Sequence, residues 1–200
     1  MLWHKDLTAH TPGGYATILY ALKVPQRDGK SLGDTKFTNV QAAYDDLPPS
    51  IKQQLRSAIG IHSSEEYNAS TRKSGSVRPA YQEGAVKNPP VPHPLIMIHP
   101  VTGQEILYCD PGHVVRIEGL PPGVDPQGTL AFLNEHQLQE KYQYAFTWSE
   151  GDALMWDNLG VIHRGTLDYT PAEPRLMTRS LILGDKVFDP AFVRTVLGAA

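Results

Sequence analysis

Residues 151–179, GDALMWDNLGVIHRGTLDYTPAEPRLMTR, leave the chain little choice of architecture. A short apolar run from Ala153 to Trp156 meets a turn at Asp157-Asn158, and a second run, Val161-Ile162, delivers His163. Beyond a polar loop carrying Pro171 and Pro174, another strand presents Arg175 and Arg179. Apolar runs of this length, bounded by turn residues, read as strands. Seventeen Gly and seventeen Pro fit a loop-rich β architecture better than a helical bundle. The opposite end of the chain carries Trp3-His4-Lys5-Asp6, a His-x-Asp.

The 200 residues, 40% of them hydrophobic, suffice for one core, so residues 1–200 are expected to form a single domain. A net charge of -3 and the lack of a basic stripe argue against a nucleic-acid partner. No apolar run is long enough to span a bilayer, and residues 1–6 do not form a signal peptide. The single cysteine, Cys109, cannot form an intrachain disulfide, which fits a reducing cytoplasm; it reads as a buried strand residue.

Along the chain, Tyr15 to Val24 is apolar on both faces and reads as a central strand. A short strand at Lys36-Phe37 follows, then a helix capped by Asn39 that stops at Pro48-Pro49. Ser50 is positioned to cap a second helix, with Ile51, Leu55 and Ile59 on one face and Gly60 just past its end. Residues 62–92 are polar and irregular and are expected to form a lid loop, with a tolerated surface insertion as the alternative. Residues 93–98 read as one strand, paired through the turn 99–103 with a return strand at 105–108. A strand at 114–117 precedes a helix capped by Asp125 with Pro126 at its first position. Tyr142, Tyr144, Phe146 and Trp148 alternate with smaller residues, the pattern of a half-buried strand. The expected fold is mainly β (α+β): a double-stranded β-helix, or jelly roll, with flanking helices.

In an extended segment residues i and i+2 point the same way, so His4 and Asp6 can face one ion. With His163 they make two imidazoles and a carboxylate, a facial set suited to non-haem Fe(II) with open positions. The same donors also bind Zn²⁺ with a water. A hydrolase reading, however, leaves the arginines needing a different acidic substrate and finds no general base beside the motif.

Leu2-Trp3-His4-Lys5-Asp6, Gly33-Asp34-Thr35, Ala42-Ala43-Tyr44-Asp45, His99-Pro100-Val101-Thr102-Gly103, Gly151 to Asn158 and His163-Arg164-Gly165 together resemble the taurine and dichlorophenoxyacetate dioxygenase (TauD/TfdA) family. The resemblance runs in order over nearly the whole chain. It implies a jelly-roll core, iron ligands His4, Asp6 and His163, and dependence on Fe(II), O₂ and the cosubstrate 2-oxoglutarate. By the same resemblance Arg175 and Thr35 hold the distal carboxylate of 2-oxoglutarate, and Arg179 holds an acidic group of the substrate. A guanidinium can grip a carboxylate bidentately, which agrees with that assignment. The sequence by itself does not divide the two anions between the two arginines.

The implied activity is hydroxylation of a small organic acid, a sulfonate or carboxylate, with release of succinate and CO₂. Asp6 occupies the position that chloride would need in a halogenase. Trp156, Asp157 and Asn158 are expected to orient His163, with a purely packing role the favoured alternative for Trp156, and His113 falls in a stretch that lines the substrate cavity in the family. Relatives carry a substantial segment before the His-x-Asp, whereas this chain begins three residues before His4. The expectation is a fold without the usual N-terminal elements, a half-built substrate pocket, and exposed apolar surface that favours homo-oligomers or poor solubility. The competing reading is a truncated, non-catalytic relative that serves as a metal- or ligand-binding or interaction module.

Overall fold

A computed structural model describes residues 2–10, 13–65 and 89–184. Its centre is β1 (Gly14–Lys23), which pairs antiparallel with β11 (Ala153–Asp157) on one side and β13 (Leu176–Leu183) on the other. A second three-stranded antiparallel sheet has β4 (Thr35–Asn39) between β10 (Gln143–Phe146) and β12 (Val161–Gly165). These two sheets form the jelly-roll core, and residues of both line one cavity. A small hairpin, β2 (Gln26–Arg27) with β3 (Lys30–Ser31), follows β1.

β1 is central, as its composition requires, but its two faces differ. Thr17, Leu19 and Ala21 point inward, whereas Tyr20 and Leu22 are 41% and 45% exposed. The alternation opposes Ile18 to Met155, itself exposed, so the outer face of this sheet stays apolar and uncovered among the described residues.

The remaining elements build a wall beside the second sheet. Helix α1 (Val40–Asp45) starts where the Asn39 side chain accepts from the Ala42 amide. Helix α2 (Pro49–Leu55) differs from expectation: Pro49 opens it, no side chain caps it, and it ends at Leu55. Ile59 and Gly60 belong instead to β5 (Ile59–His62), which pairs with β6 (Val91–Pro94) and β9 (Val114–Glu118). Gly60 packs closely, since a Cβ there would lie 2.9 Å from Leu95 Cδ2 and that side chain would have to shift.

The strand expected over 93–98 is broken at Leu95. Its amide donates to Ala58 and its carbonyl accepts from Tyr108, so β6 and β7 (Ile96–Ile98) enter different sheets. β7 pairs with β8 (Glu105–Leu107) as the predicted hairpin. Cys109 is buried beyond the end of β8 rather than within a strand. Helix α3 (Pro126–Gln137) carries the expected cap, with Asp125 accepting from Gln127 and Gly128. Residues 142–148 form a strand only over 143–146, and Tyr144 is 63% exposed rather than turned inward with Phe146.

One apolar core joins α1, α2, β8, β9 and α3 through Val40, Leu55, Leu107, Ile117 and Leu133, and it reaches Trp3 and Ile162. A smaller one, around Ala21, Val24 and Trp148, fills the other side of the cavity. Residues 66–88 of the expected lid lie outside the described residues. His62, at its start, is a fully buried strand residue and not part of a polar loop.

Candidate metal centre

His163 is placed by β12. Side chains alternate along a strand, so Ile162 enters the core while His163 turns to the cavity. The segment carrying His4 lies antiparallel to it: the His4 amide donates to the His163 carbonyl at 3.0 Å, and the His163 amide to the His4 carbonyl at 2.9 Å. This single bridge brings the two imidazole centroids to 4.4 Å. Asp6, one alternation further on, puts Oδ1 at 3.8 Å from His4 Nε2 and Oδ2 at 3.7 Å from His163 Nε2. All three side chains are buried, and their ligand atoms lie within 4.8 Å of one another, the one such group among the described residues.

The protonation states suit a cation. His4 Nδ1 lies 3.0 Å from the Leu2 carbonyl, so it carries the hydrogen and Nε2 keeps the lone pair. Burial, reinforced by repulsion from His4, drives the pKa of His163 down to about 3 and keeps its ring neutral. Its Nδ1 is buried without a hydrogen-bond partner. Burial works against the Asp6 carboxylate, yet the Thr17 hydroxyl bond and the Arg179 charge hold its pKa below the ordinary value. Two neutral imidazoles and one carboxylate are what a divalent metal with open positions requires.

Asp6 is held by a chain of hydrogen bonds that the sequence did not reveal. Trp156 Nε1 donates to Asn158 Oδ1 at 3.0 Å, Asn158 Nδ2 to Thr17 Oγ1 at 2.8 Å, and the Thr17 hydroxyl to Asp6 Oδ2 at 2.7 Å. Trp156 and Asn158 were expected to orient His163, but their hydrogen bonds run to the carboxylate; Trp156 meets His163 only by ring contact, at 4.8 Å between centroids. Asp157 turns outward to His99 and caps the turn amides of Leu159 and Gly160. The available signal was Thr17 itself, a hydroxyl on an otherwise apolar inward face.

The cavity holds about 230 Å³ and is lined by the three donors with Leu19, Thr35, Trp156, Gly165, Arg175 and Arg179. That is below the roughly 300–1,000 Å³ of pockets for drug-sized ligands and suits a small acid. Thr35 lies opposite Gly165 and Phe37 opposite His163, so Thr35 is one alternation along β4 from the metal donor. Trp148 Nε1 donates to Thr35 Oγ1 at 2.9 Å, which leaves the threonine hydrogen for another acceptor.

Arg175 stands just before β13, not within it. Its Nη2 donates to the Gly33 carbonyl at 3.3 Å, and its buried Nε has no partner. Gly33 has φ +77, and a Cβ there would lie 2.8 Å from that Nε, so glycine is needed on both counts. Arg179, opposite Leu19 in the ladder, donates to Asp6 Oδ1 at 3.1 Å. His113 does not line this cavity. Its buried ring stands 6.2 Å from that of His4 and its Nδ1 bonds Asp110 Oδ1 at 2.9 Å.

The loop leading to Arg175 is stitched to the β2–β3 hairpin. Arg27 Nε and Nη2 each lie 2.7 Å from a Glu173 carboxylate oxygen, and the Gly33 amide donates to Asp168. Both members of the ion pair sit near solvent, so Arg27→Ala should weaken binding of an acid at Arg175 only a few-fold and leave metal binding unchanged. Calorimetric titration of the variant with 2-oxoglutarate measures this.

Residues 1–181 match the Taurine catabolism dioxygenase TauD, TfdA family. The chain is 36% identical over 186 residues to the alpha-ketoglutarate-dependent 2,4-dichlorophenoxyacetate dioxygenase of Burkholderia sp. (strain RASC), over 92% of this chain and 58% of that one. Its fold is similar to a taurine dioxygenase from Burkholderia xenovorans, with TM-score 0.73 and 27% identity over 92% of this chain and 57% of that one. It is also similar to AAD-2 in complex with Mn(II) and N-oxalylglycine, with TM-score 0.74 and 28% identity over 91% of this chain and 67% of that one. The chain therefore belongs to the TauD/TfdA family of dioxygenases. It spans roughly three fifths of the length of such curated relatives, 58% of one and 61% of another. No helix among the described residues is long and apolar enough to cross a membrane.

Proposed function

We propose that residues 1–200 act as one catalytic domain of an Fe(II)- and 2-oxoglutarate-dependent dioxygenase that hydroxylates a small sulfonate or carboxylate. The observation that carries this reading is the convergence on one cavity of His4, Asp6 and His163 with Arg175, whose buried Nε lacks an acceptor. A metal alone would not need that guanidinium. A dicarboxylate reaching from the metal to Arg175 does.

When bound, Fe(II) with 2-oxoglutarate supplies the redox chemistry that couples decarboxylation to succinate and CO₂ with insertion of one atom of O₂ into a substrate C–H bond. The chain's own residues hold and orient. His4, Asp6 and His163 would hold the ion as two imidazoles and one carboxylate, a set that suits a divalent metal with positions left for cosubstrate. Arg175 and the Thr35 hydroxyl bind the distal carboxylate, with Trp148 fixing the direction of that hydroxyl. Arg179, with one donor on Asp6 and its side chain half exposed, meets the acid group of the substrate. Leu19 and Trp156 exclude water from the reacting centre.

The compound in that relative's name, 2,4-dichlorophenoxyacetate, is a carboxylate, and N-oxalylglycine, like 2-oxoglutarate, has a carbonyl next to one carboxylate and a second carboxylate at its far end. Both agree with an arginine-lined cavity of this kind. The test is anaerobic loading with Fe(II) and 2-oxoglutarate, read by the visible charge-transfer band, then exposure to O₂ with a panel of sulfonates, aryloxyacids and small carboxylates, read by succinate. Absence of the band, together with iron binding indifferent to substitution of all three donors, rules the reading out. Arg175→Met should raise the Kd for 2-oxoglutarate by about tenfold to a hundredfold, the loss of a charge-assisted pair, without weakening metal binding.

A further inference from the structure

His4 and Asp6 face the cavity, so Lys5 between them must face away from it, into the protein. Lys5 is fully buried, at 0% exposure. Its Nζ donates to the carbonyls of Leu159 at 2.7 Å, Val161 at 3.1 Å and Asn158 at 3.2 Å, and it lies 5.4 Å from the centroid of the Tyr108 ring. An ammonium has three hydrogens, and each of the three has an acceptor. Those acceptors form the turn from β11 into β12, and the last of them is two residues before His163.

A buried ammonium is costly to desolvate, and an apolar side chain of similar length would serve packing alone at least as well. What an apolar chain cannot do is fasten three carbonyls at fixed positions. One of those carbonyls belongs to Asn158, whose side chain continues through Thr17 to Asp6. A single side chain thus fixes the strand that carries His163, the hydrogen-bond chain that orients Asp6, and the segment that bears both His4 and Asp6.

We propose that Lys5 is a positioning residue of the metal centre, setting the register between the His4–Asp6 segment and β12 and so the spacing of the three donors. The proposal rests on the reading of those donors as a metal site.

The probe is Co(II), titrated into the whole chain and followed by its visible ligand-field absorption. Lys5→Met should bind Co(II) at least about tenfold more weakly and with an altered spectrum, the size of effect seen when groups behind metal ligands are removed. Leu133→Ala, a buried change in α3 away from the cavity, is the control for general destabilisation. It should lower the melting temperature without moving Co(II) affinity or spectrum. Lys5→Gln, which keeps two donors, should fall between wild type and Lys5→Met. Co(II) binding by Lys5→Met within twofold of wild type, or an equal loss in Leu133→Ala, overturns the proposal.

If neither Lys5 variant folds, hydrogen exchange of the wild type decides. Co(II) loading should protect the backbone amides of residues 158–161 together with those of residues 4–6, and metal binding that leaves 158–161 unchanged overturns the proposal. Failure of the underlying site looks different: wild type and His163→Ala then bind Co(II) alike.

Discussion

Asp6→Asn will lower Fe(II) affinity by about a hundredfold or more and reduce 2-oxoglutarate-dependent succinate release to background, while the chain stays folded. Substitutions behind metal ligands typically cost tenfold to a hundredfold, and this one removes a donor itself. The reasoning is electrostatic. Asp6 is the one anionic donor beside two neutral imidazoles, and it is buried, so its charge is weakly screened. Asparagine keeps the shape, and its amide oxygen can still accept from Thr17, so the Trp156–Asn158–Thr17 chain survives. The pairing with Arg179 loses its charge. Anaerobic Fe(II) titration and far-ultraviolet circular dichroism on the same sample separate loss of the ion from loss of the fold. Affinity within a few-fold of wild type would remove Asp6 from the donor set.

Asp110→Ala will destabilise the fold by about 3–5 kcal/mol, since several buried donors lose their acceptor at about 1–3 kcal/mol each. Asp110 is fully buried. Its Oδ1 accepts from the Gly112 and His113 amides and from His113 Nδ1, and its Oδ2 accepts from Thr8. His62 Nδ1 stands 3.6 Å away, too far for a hydrogen bond. Alanine leaves those donors without an acceptor in a dry interior.

The same geometry sets an acid dependence. Burial opposes the Asp110 carboxylate, but the His113 pair and the nearby His62 hold its pKa well below the ordinary value. A carboxyl depressed in the folded state contributes stability that is fully present above its unfolded pKa, about 4, and is lost as pH falls towards the folded value. Urea unfolding of wild type at pH 7, pH 4 and pH 3 should show that loss, and Asp110→Ala should show less of it. A variant with the wild-type midpoint would contradict both expectations.

What the sequence made legible was local. Asn39 and Asp125 cap the helices they precede, since an N-cap is a contact within three residues. The His-x-Asp faces one point because alternation is a property of any extended segment. Pairing is non-local, and there the reading faltered. Ile51, Leu55 and Ile59 suit a helix face, yet β6 and β9 draw Ile59 into a sheet. The apolar run 93–98 carries no mark of the break at Leu95, which arises from hydrogen bonds to Ala58 and Tyr108. In the site, donors and arginines stood out as chemically distinctive types. Thr17, Trp148 and Lys5 did not, because a threonine, a tryptophan or a lysine becomes significant only through partners distant in sequence: Asp6 and Asn158 for Thr17, Thr35 for Trp148, residues 158–161 for Lys5.

The antiparallel bridge between His4 and His163 joins parts of the polypeptide separated by most of its described length. An ion shared by those two imidazoles works as a removable cross-link across a very long loop, the arrangement in which closing a chain restricts the unfolded state most. On the proposed function, loading the site with Fe(II) should raise the unfolding midpoint of the chain, and a chelator should bring it back down.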